Sequence, residues 1–329
     1  MHSAPTFVCV LITLLTLYFL WGWYTIFPTC QTPHCHTPQF AVDAVFTWVD
    51  TTDPEWLEEK SRHETTKQNF LQAGQSRFNQ QLRPWDEISL SVASVRKHLR
   101  WIRQIYIVVQ SERQRQILAP HVQNTQIVLH KDIMDLGAQP TFNSEAIEAH
   151  IHNIPGLAQH FIYFNDDTYV NKAMKATDFF ACGQPIFRLN KTQTLVQNLL
   201  PNAVKFWNWG GIIANSKEYN LQLLNYSHLM YIHHPVPLTK TLICDTIAQF
   251  PHEWNKVAHT KFRSFDTITP LSLYLNWGLL IGEVVHICHD NIKTYYSEED
   301  LDFSPQHSLV CINSLQPQDF EKLRQKILD

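Results

Sequence analysis

Residues 86–109, DEISLSVASVRKHLRWIRQIYIVV, read as a helix that runs into a buried strand. Ile88, Val92, Val95 and Leu99 recur at i, i+4, i+7 and i+11, so one apolar stripe faces a core. IYIVV follows as a short strand. Upstream, AVDAVFTWVD (41–50) has strand-like Val, Phe and Trp content and stops at Asp50, Asp53 and Pro54, which form turns. Downstream, a polar helical run around Ser111 to Leu118 leads to a second short strand, TQIVLH (125–130). PTFNSEAIEAHIHNIPG (140–156) supplies another helix, capped by Asn143 or Ser144, striped by Ile147, Ile151 and Ile154, and ended by Pro155-Gly156. HFIYFNDDTYV (160–170) is then the next strand. Strands alternating with helices at this spacing predict an α/β fold, a mostly parallel sheet with helices on both faces. Residues from about 195 to 282 are richer in helical patterns and Trp, and are expected as a helical elaboration on that sheet. PQDFEKLRQKILD (317–329) closes the chain as a helix with Phe320, Leu323 and Ile327 on one face.

The chain has 329 residues, 44% of them hydrophobic, which is ample for one sizeable core. A net charge of -4 gives no electrostatic reason to expect nucleic-acid binding. Residues 4–28 carry no charged side chain, and about 20 apolar residues suffice to cross a bilayer as a helix. One transmembrane helix is therefore expected in residues 1–28, then a stalk over 29–40 and a catalytic domain over 41–329. A cleaved signal peptide is the competing reading, but a basic start and a small-residue cleavage site are both missing. No Lys or Arg precedes Lys60, so loop charge says nothing about orientation. The sequons at Asn190 and Asn225 fit a luminal domain, which with the anchor suggests the Golgi or another part of the secretory pathway. Cys30 and Cys35 are read as disulfide-bonded or free in preference to a zinc site with His34 and His36. Oligomeric state is left open.

In HFIYFNDDTYV, Asp166 and Asp167 fall at the C-terminal end of a strand, the edge at which ligands bind in open α/β sheets. Two adjacent acids repel, and a divalent cation would offset that; hard oxygen ligands suit Mg2+ or Mn2+. The bland alternative is that the pair caps a turn. TWVDTTDP (47–54) places Thr47, Trp48, Asp50 and Asp53 at another strand end. There they form either an aromatic platform with acceptors for a base or ribose, or a core Trp beside turn-capping acids. YIHHPVPLTK (231–240) offers His233, His234 and Lys240, and HTKFRSFD (259–266) offers His259, Lys261, Arg263 and Asp266. Arginine suits bidentate phosphate recognition and histidine suits proton transfer, so this set fits phosphoryl chemistry.

These stretches resemble, in order, the four blocks of the Stealth-type sugar-phosphate transferases. That group contains bacterial capsular polysaccharide phosphotransferases and the α/β subunit of lysosomal-enzyme N-acetylglucosamine phosphotransferase. DAVFTWVDTTDP resembles the first block. The second runs from DEISLSVASVRKHLRWIRQIYIVV through PTFNSEAIEAHIHNIPGLAQHFIYFNDDTYV. HHPVPLTKTLICDTIAQF with HTKFRSFDTITPLSLY resembles the third, and LVCINSLQ the fourth. The resemblance implies a glycosyltransferase-A-like fold and metal-dependent transfer of a sugar 1-phosphate from a nucleotide-sugar donor to a hydroxyl of a glycan or glycoconjugate acceptor. It implies Asp166 and Asp167 as metal ligands and His233, Arg263 and Asp167 as catalytic. Arg263, with Lys240, would stabilise the phosphoryl oxygens. His233 would take the acceptor's proton, or else contact phosphate. Asn143 and Ser144 would line the donor pocket, Thr47, Trp48, Asp50 and Asp53 would hold the nucleoside, and Asp266 would complete the substrate contacts. The alternatives are a metal-dependent glycosyltransferase of the same fold or an inactive glycan- or partner-binding relative. Departures from the pattern motivate the latter: Ser89 and Ala93 stand in place of arginines, and Gln110 and Ser314 in place of aspartates. Each lost charge-assisted hydrogen bond would remove about 1.5–3 kcal/mol from donor binding.

Overall fold

A computed structural model describes residues 40–64, 85–188, 234–264, 267–286, 292–297, 301–312 and 317–329. Its strands in chain order are β1 (Val42–Thr47), β2 (Ile105–Val109), β3 (Gln126–Leu129), β4 (His160–Phe164), β5 (Thr168–Val170), β6 (Phe180–Ala181), β7 (Gln184–Phe187), β8 (Val236–Thr239), β9 (Val285–His286), β10 (Thr294–Ser297) and β11 (Leu309–Ile312). The central sheet has the order β3-β2-β1-β4-β8. β1, β2, β3 and β4 pair in parallel, and β8 joins antiparallel to β4. The expected mostly parallel sheet is therefore present and mixed.

Successive side chains on a strand point to opposite faces, and both faces are covered here. Val42, Ala44 and Phe46 of β1, with Ile162 and Phe164 of β4, pack against Ile88, Val92 and Val95 of α2 (Asp86–His98), which follows α1 (Pro54–His63). Leu118 of α3 (Glu112–Leu118) joins that layer. The turn α4 (His130–Ile133) then leads to α5 (Ser144–Glu148). On the opposite face, Val45, Phe161 and Tyr163 meet Ala146 of α5. They also meet Leu242 and Ile243 of α6 (Lys240–Gln249) and Leu271 and Tyr274 of α8 (Pro270–Ile281); α7 (Pro251–Ala258) intervenes. α9 (Pro317–Leu328) buries Leu323 and Ile327 against Leu90, Tyr169, Val310 and Ile312.

Three local readings change. The helix expected over 140–156 is a five-residue helix followed by a short 3-10 turn, Ile151–Asn153; Ile151 and Ile154 are nonetheless buried. The stretch read as a helical elaboration also contributes β8 to the sheet, because VPLT is short enough to be a strand edge and Pro237 removes a ladder donor without breaking it. Two small sheets, β10-β11-β5 and β6-β7-β9, were not foreseen. The N-terminal anchor and stalk up to residue 39, His233, Asp266, Ser314, Cys30, Cys35, Asn190 and Asn225 lie outside the described residues. Among the described residues no helix is long and apolar enough to cross a membrane.

At the sheet's N-terminal edge, Asp43 is fully buried and bridges two connections. Arg103 donates to its two oxygens at 2.9 and 2.6 Å, and the Ala158 amide donates at 2.7 Å. The chemistry gathers at the other edge.

Candidate active site

Phe46 and Phe164 are partners in the β1–β4 register, so Thr47 and the Asp166-Asp167 turn leave the sheet side by side at its C-terminal edge. Val236 opposes Tyr163, so the chain also enters β8 at this edge. The acidic turn is held from both sides: the Ile312 amide donates to the Asp167 carbonyl at 3.2 Å, and Ser91 of α2 donates to the Thr168 carbonyl. Burial, and then their mutual repulsion, pushes the carboxyl of Asp166 up; burial pushes up that of Asp167, a neighbouring Cys311 hydrogen bond opposing it. Glu87, in the first turn of α2, is pushed well above the carboxylate range by burial and by these same two acids. The Tyr169 hydroxyl, fully buried among them, has no hydrogen-bond partner. Sequence reasoning missed Glu87, although its place in the first turn of a confidently read helix beside the NDD strand was a usable signal.

A second group sits on the sheet face that α5 covers. Asn143 caps α5, its Oδ1 accepting from the Glu145 amide at 3.1 Å, and Ser144 is the helix's first residue. Arg263 donates from Nη2 to Ser144 Oγ at 2.6 Å, joining two blocks that are 119 positions apart. On the same helical turn, Glu145 and Glu148 are buried and both feel Arg263. Tyr163 donates to Glu148 Oε1 at 3.2 Å and lies 2.9 Å from Thr47 Oγ1, which ties the C-terminal ends of β1 and β4 to α5. Burial raises Glu148 to about 7, with Arg263 and the Tyr163 hydrogen bond opposing. Glu145, Glu148 and Tyr163 were not foreseen; acids inside an amphipathic helix pattern read as its solvent face.

The structure does not bring every predicted residue to this edge. Trp48 is buried in the α2-side core and presents no open platform, so its nucleoside-stacking role is corrected. Asp50 accepts from the Thr52 amide and hydroxyl at 2.8 and 2.7 Å, a turn cap. Asp53 caps α1 and pairs with Arg113 at 2.8 Å. Lys240 is corrected too: its amide donates to Gln159 and Thr239 opposes His160, at the far end of β4, roughly 20 Å along the strand from the acidic turn. Ser89 spends its hydroxyl on the Trp85 carbonyl at 2.5 Å, and Gln110 donates to Glu59 at 2.8 Å.

No cluster of three or more His, Cys, Asp or Glu side chains set to enclose a metal occurs among the described residues. Magnesium is commonly held by one or two carboxylates plus substrate phosphates, so a two-carboxylate turn without a basic partner among the described residues fits it.

The chain matches the models for Stealth protein conserved region 1 over residues 40–67 and conserved region 2 over residues 81–186. It is 38% identical over 44% of its length to the capsular polysaccharide phosphotransferase LcbA of Neisseria meningitidis, covering 39% of that protein. It is 30% identical over 77% of its length to the exopolysaccharide phosphotransferase CpsY of Mycobacterium tuberculosis, covering 47% of that protein. With the capsular polysaccharide phosphotransferase fcs1 of Haemophilus influenzae it shares 30% identity over 73% of its length and 65% of the relative's. Among solved structures, the galactosyltransferase LgtC superposes with a TM-score of 0.43 at 10% identity, over 87% of this chain and 96% of that one. The bifunctional glycosyltransferase WbbM does so with 0.45 at 10%, over 92% and 52%. Neither superposition is close enough to bear on the fold. The chain thus carries matches to Stealth conserved regions 1 and 2, in that order, and is similar to capsular and exopolysaccharide phosphotransferases, of each of which it spans less than two thirds.

Proposed function

We propose that this chain transfers a sugar 1-phosphate from a nucleotide-sugar donor to a hydroxyl of a glycan or glycoconjugate acceptor, forming a phosphodiester on a glycosyltransferase-A-like scaffold. The observation that carries the reading is the Arg263–Ser144 contact, which sets a guanidinium on α5, joined through Glu148, Tyr163 and Thr47 to the sheet edge that holds Asp166 and Asp167. Arg263 offers a planar fork of donors to the transferred phosphoryl oxygens, and Ser144 orients that fork. Glu148, kept within reach of Tyr163, takes the acceptor's proton; His233 is the other candidate for that task. Asp166 and Asp167 would hold magnesium or manganese, which when bound supplies charge neutralisation for the donor's pyrophosphate.

A membrane-anchored, luminal placement belongs to the same proposal. Cys182 is disulfide-bonded, and such bonds persist in oxidising compartments, which supports it.

The test is the identity of the released nucleotide. The detergent-solubilised full chain, given a panel of nucleotide sugars with magnesium or manganese and glycan acceptors, is expected to release a nucleoside monophosphate. Release of a nucleoside diphosphate would replace this reading with attack at the anomeric carbon. Absence of nucleotide-sugar binding by calorimetry would favour an inactive relative.

A further inference from the structure

The Arg263–Ser144 contact closes two arms of the chain that leave a common junction two residues earlier. At that junction the Phe142 amide donates to the Lys261 carbonyl at 2.8 Å, and the Phe142 and Phe262 rings stack with centroids 5.3 Å apart. Thr141 Oγ1 and Asn143 Nδ2 share the Thr260 carbonyl, each at 3.3 Å. Trp56 of α1 meets the Phe142 ring edge-on, with centroids 5.6 Å apart. Residues 139–143 belong to no helix or strand, so it is this junction that sets how far the start of α5 stands from Arg263. One backbone bond fixes a point but leaves a pivot. Lys261 supplies a second point: its Nζ reaches back past Phe142 and donates to the carbonyls of Gln139 and Pro140 at 3.1 and 3.0 Å. Charged donors make the stronger kind of hydrogen bond, and this one is committed to two backbone oxygens.

We propose that Lys261 is a positioning residue for the transfer: by holding the 139–140 carbonyls it stops the two arms from pivoting about Phe142, and so fixes the Arg263 guanidinium against Ser144. Its ammonium acts through Arg263, being itself spent on the backbone. A guanidinium carried on a long, rotatable side chain stabilises developing charge only where it is already in place, and a displacement of 1 Å can cost about a hundredfold in rate. The purpose of the clamp rests on the proposed reaction, its existence on the hydrogen bonds of the junction alone.

The experiment compares Lys261→Met, which keeps the length of the side chain and removes its donors, with Lys261→Arg, which restores charged donors. The first measurement needs no turnover. In the full chain labelled with nitrogen-15 arginine, the Arg263 guanidinium is assigned by its loss in Arg263→Lys, and its two Nη signals are expected to be resolved, because Ser144 holds one of them. In Lys261→Met they are expected to merge as the group turns freely, and in Lys261→Arg to stay apart. Merged signals in the unaltered chain, or resolved ones in Lys261→Met, would overturn the proposal. The second measurement is steady-state release of nucleoside monophosphate. In Lys261→Met, kcat is expected to fall by about a hundredfold with the donor KM changed by less than about threefold, and Lys261→Arg to recover most of the loss. In a Ser144→Ala background, which removes the contact itself, Lys261→Met is expected to add less than about threefold. The full loss in that background, or a Lys261→Met chain that fails to fold, would make Lys261 a structural residue and overturn the proposal. A guanidinium freed by Lys261→Met in a chain that turns over no nucleotide sugar would sustain the clamp and reject the proposed reaction.

Discussion

Asp167 reaches the end of β4 beside another acid, with Glu87 nearby and no basic partner among the described residues, so its ionised form is held at a cost to stability. Asp167→Asn is expected to abolish nucleotide release while leaving the melting temperature unchanged or slightly higher, as scanning calorimetry beside the nucleotide assay would show. A drop of several degrees would instead make Asp167 a structural residue. Tyr163→Phe probes the proposed base, Glu148. It removes the hydroxyl that donates to Glu148, so Glu148 loses a group that favours its charged form. The acidic limb of turnover should rise in pH and kcat should fall by about tenfold, within the range that proton-transfer groups contribute. An unchanged profile would detach Tyr163 from the reaction. At this scale the sequence located the Asp166-Asp167 turn at the end of its strand, and gave no sign that Arg263 meets Ser144. Asp50 and Asp53 were open to two readings, ribose acceptors or turn caps, and one oxygen of each serves the local turn, accepting from Thr52 in the first case and from Glu55 and Arg113 in the second.

At the scale of elements, α2, β2, β3 and β4 could be read directly because period and length agreed: four apolar residues on one helical stripe, and short runs with no polar interruption. α5 was overread because Ile147, Ile151 and Ile154 keep helical spacing across a tighter turn that also buries Ile151 and Ile154. β8 was missed because four residues ahead of a strong helix carry too little pattern to register. The connection of β1 to its neighbours at the quiet edge gives a sharper test. Asp43→Ala leaves the Ala158 amide unpaired and frees Arg103 into water, since that arginine is itself half exposed. The loss is expected to be about 2 kcal/mol in urea unfolding, with kcat preserved for the chain that remains folded. A loss of activity without a loss of stability would show that the two edges are coupled.

The whole molecule adds a dependence on pH that no single element displays. His130 is buried and His152 half-buried; burial pushes them down to about 3 and about 4, and His150, also buried, is lowered in the same way. A histidine whose folded value lies below its unfolded value stabilises the fold fully above the unfolded value near 6.5. That contribution is lost as pH falls toward the folded value. Relative to His130→Gln, the unaltered chain should therefore lose about 1.4 kcal/mol per pH unit between pH 6 and pH 4, measured by urea unfolding at each pH. Parallel curves would mean that His130 is charged in the folded chain.

The direction of β8 has a consequence of its own. Because that strand runs against its neighbours, its first residue, Val236, stands beside the acidic turn and its last, Thr239, at the far end of β4. A change in the residues that lead into β8 would therefore be felt first at the two carboxylates, while the register of the parallel strands stays as it is.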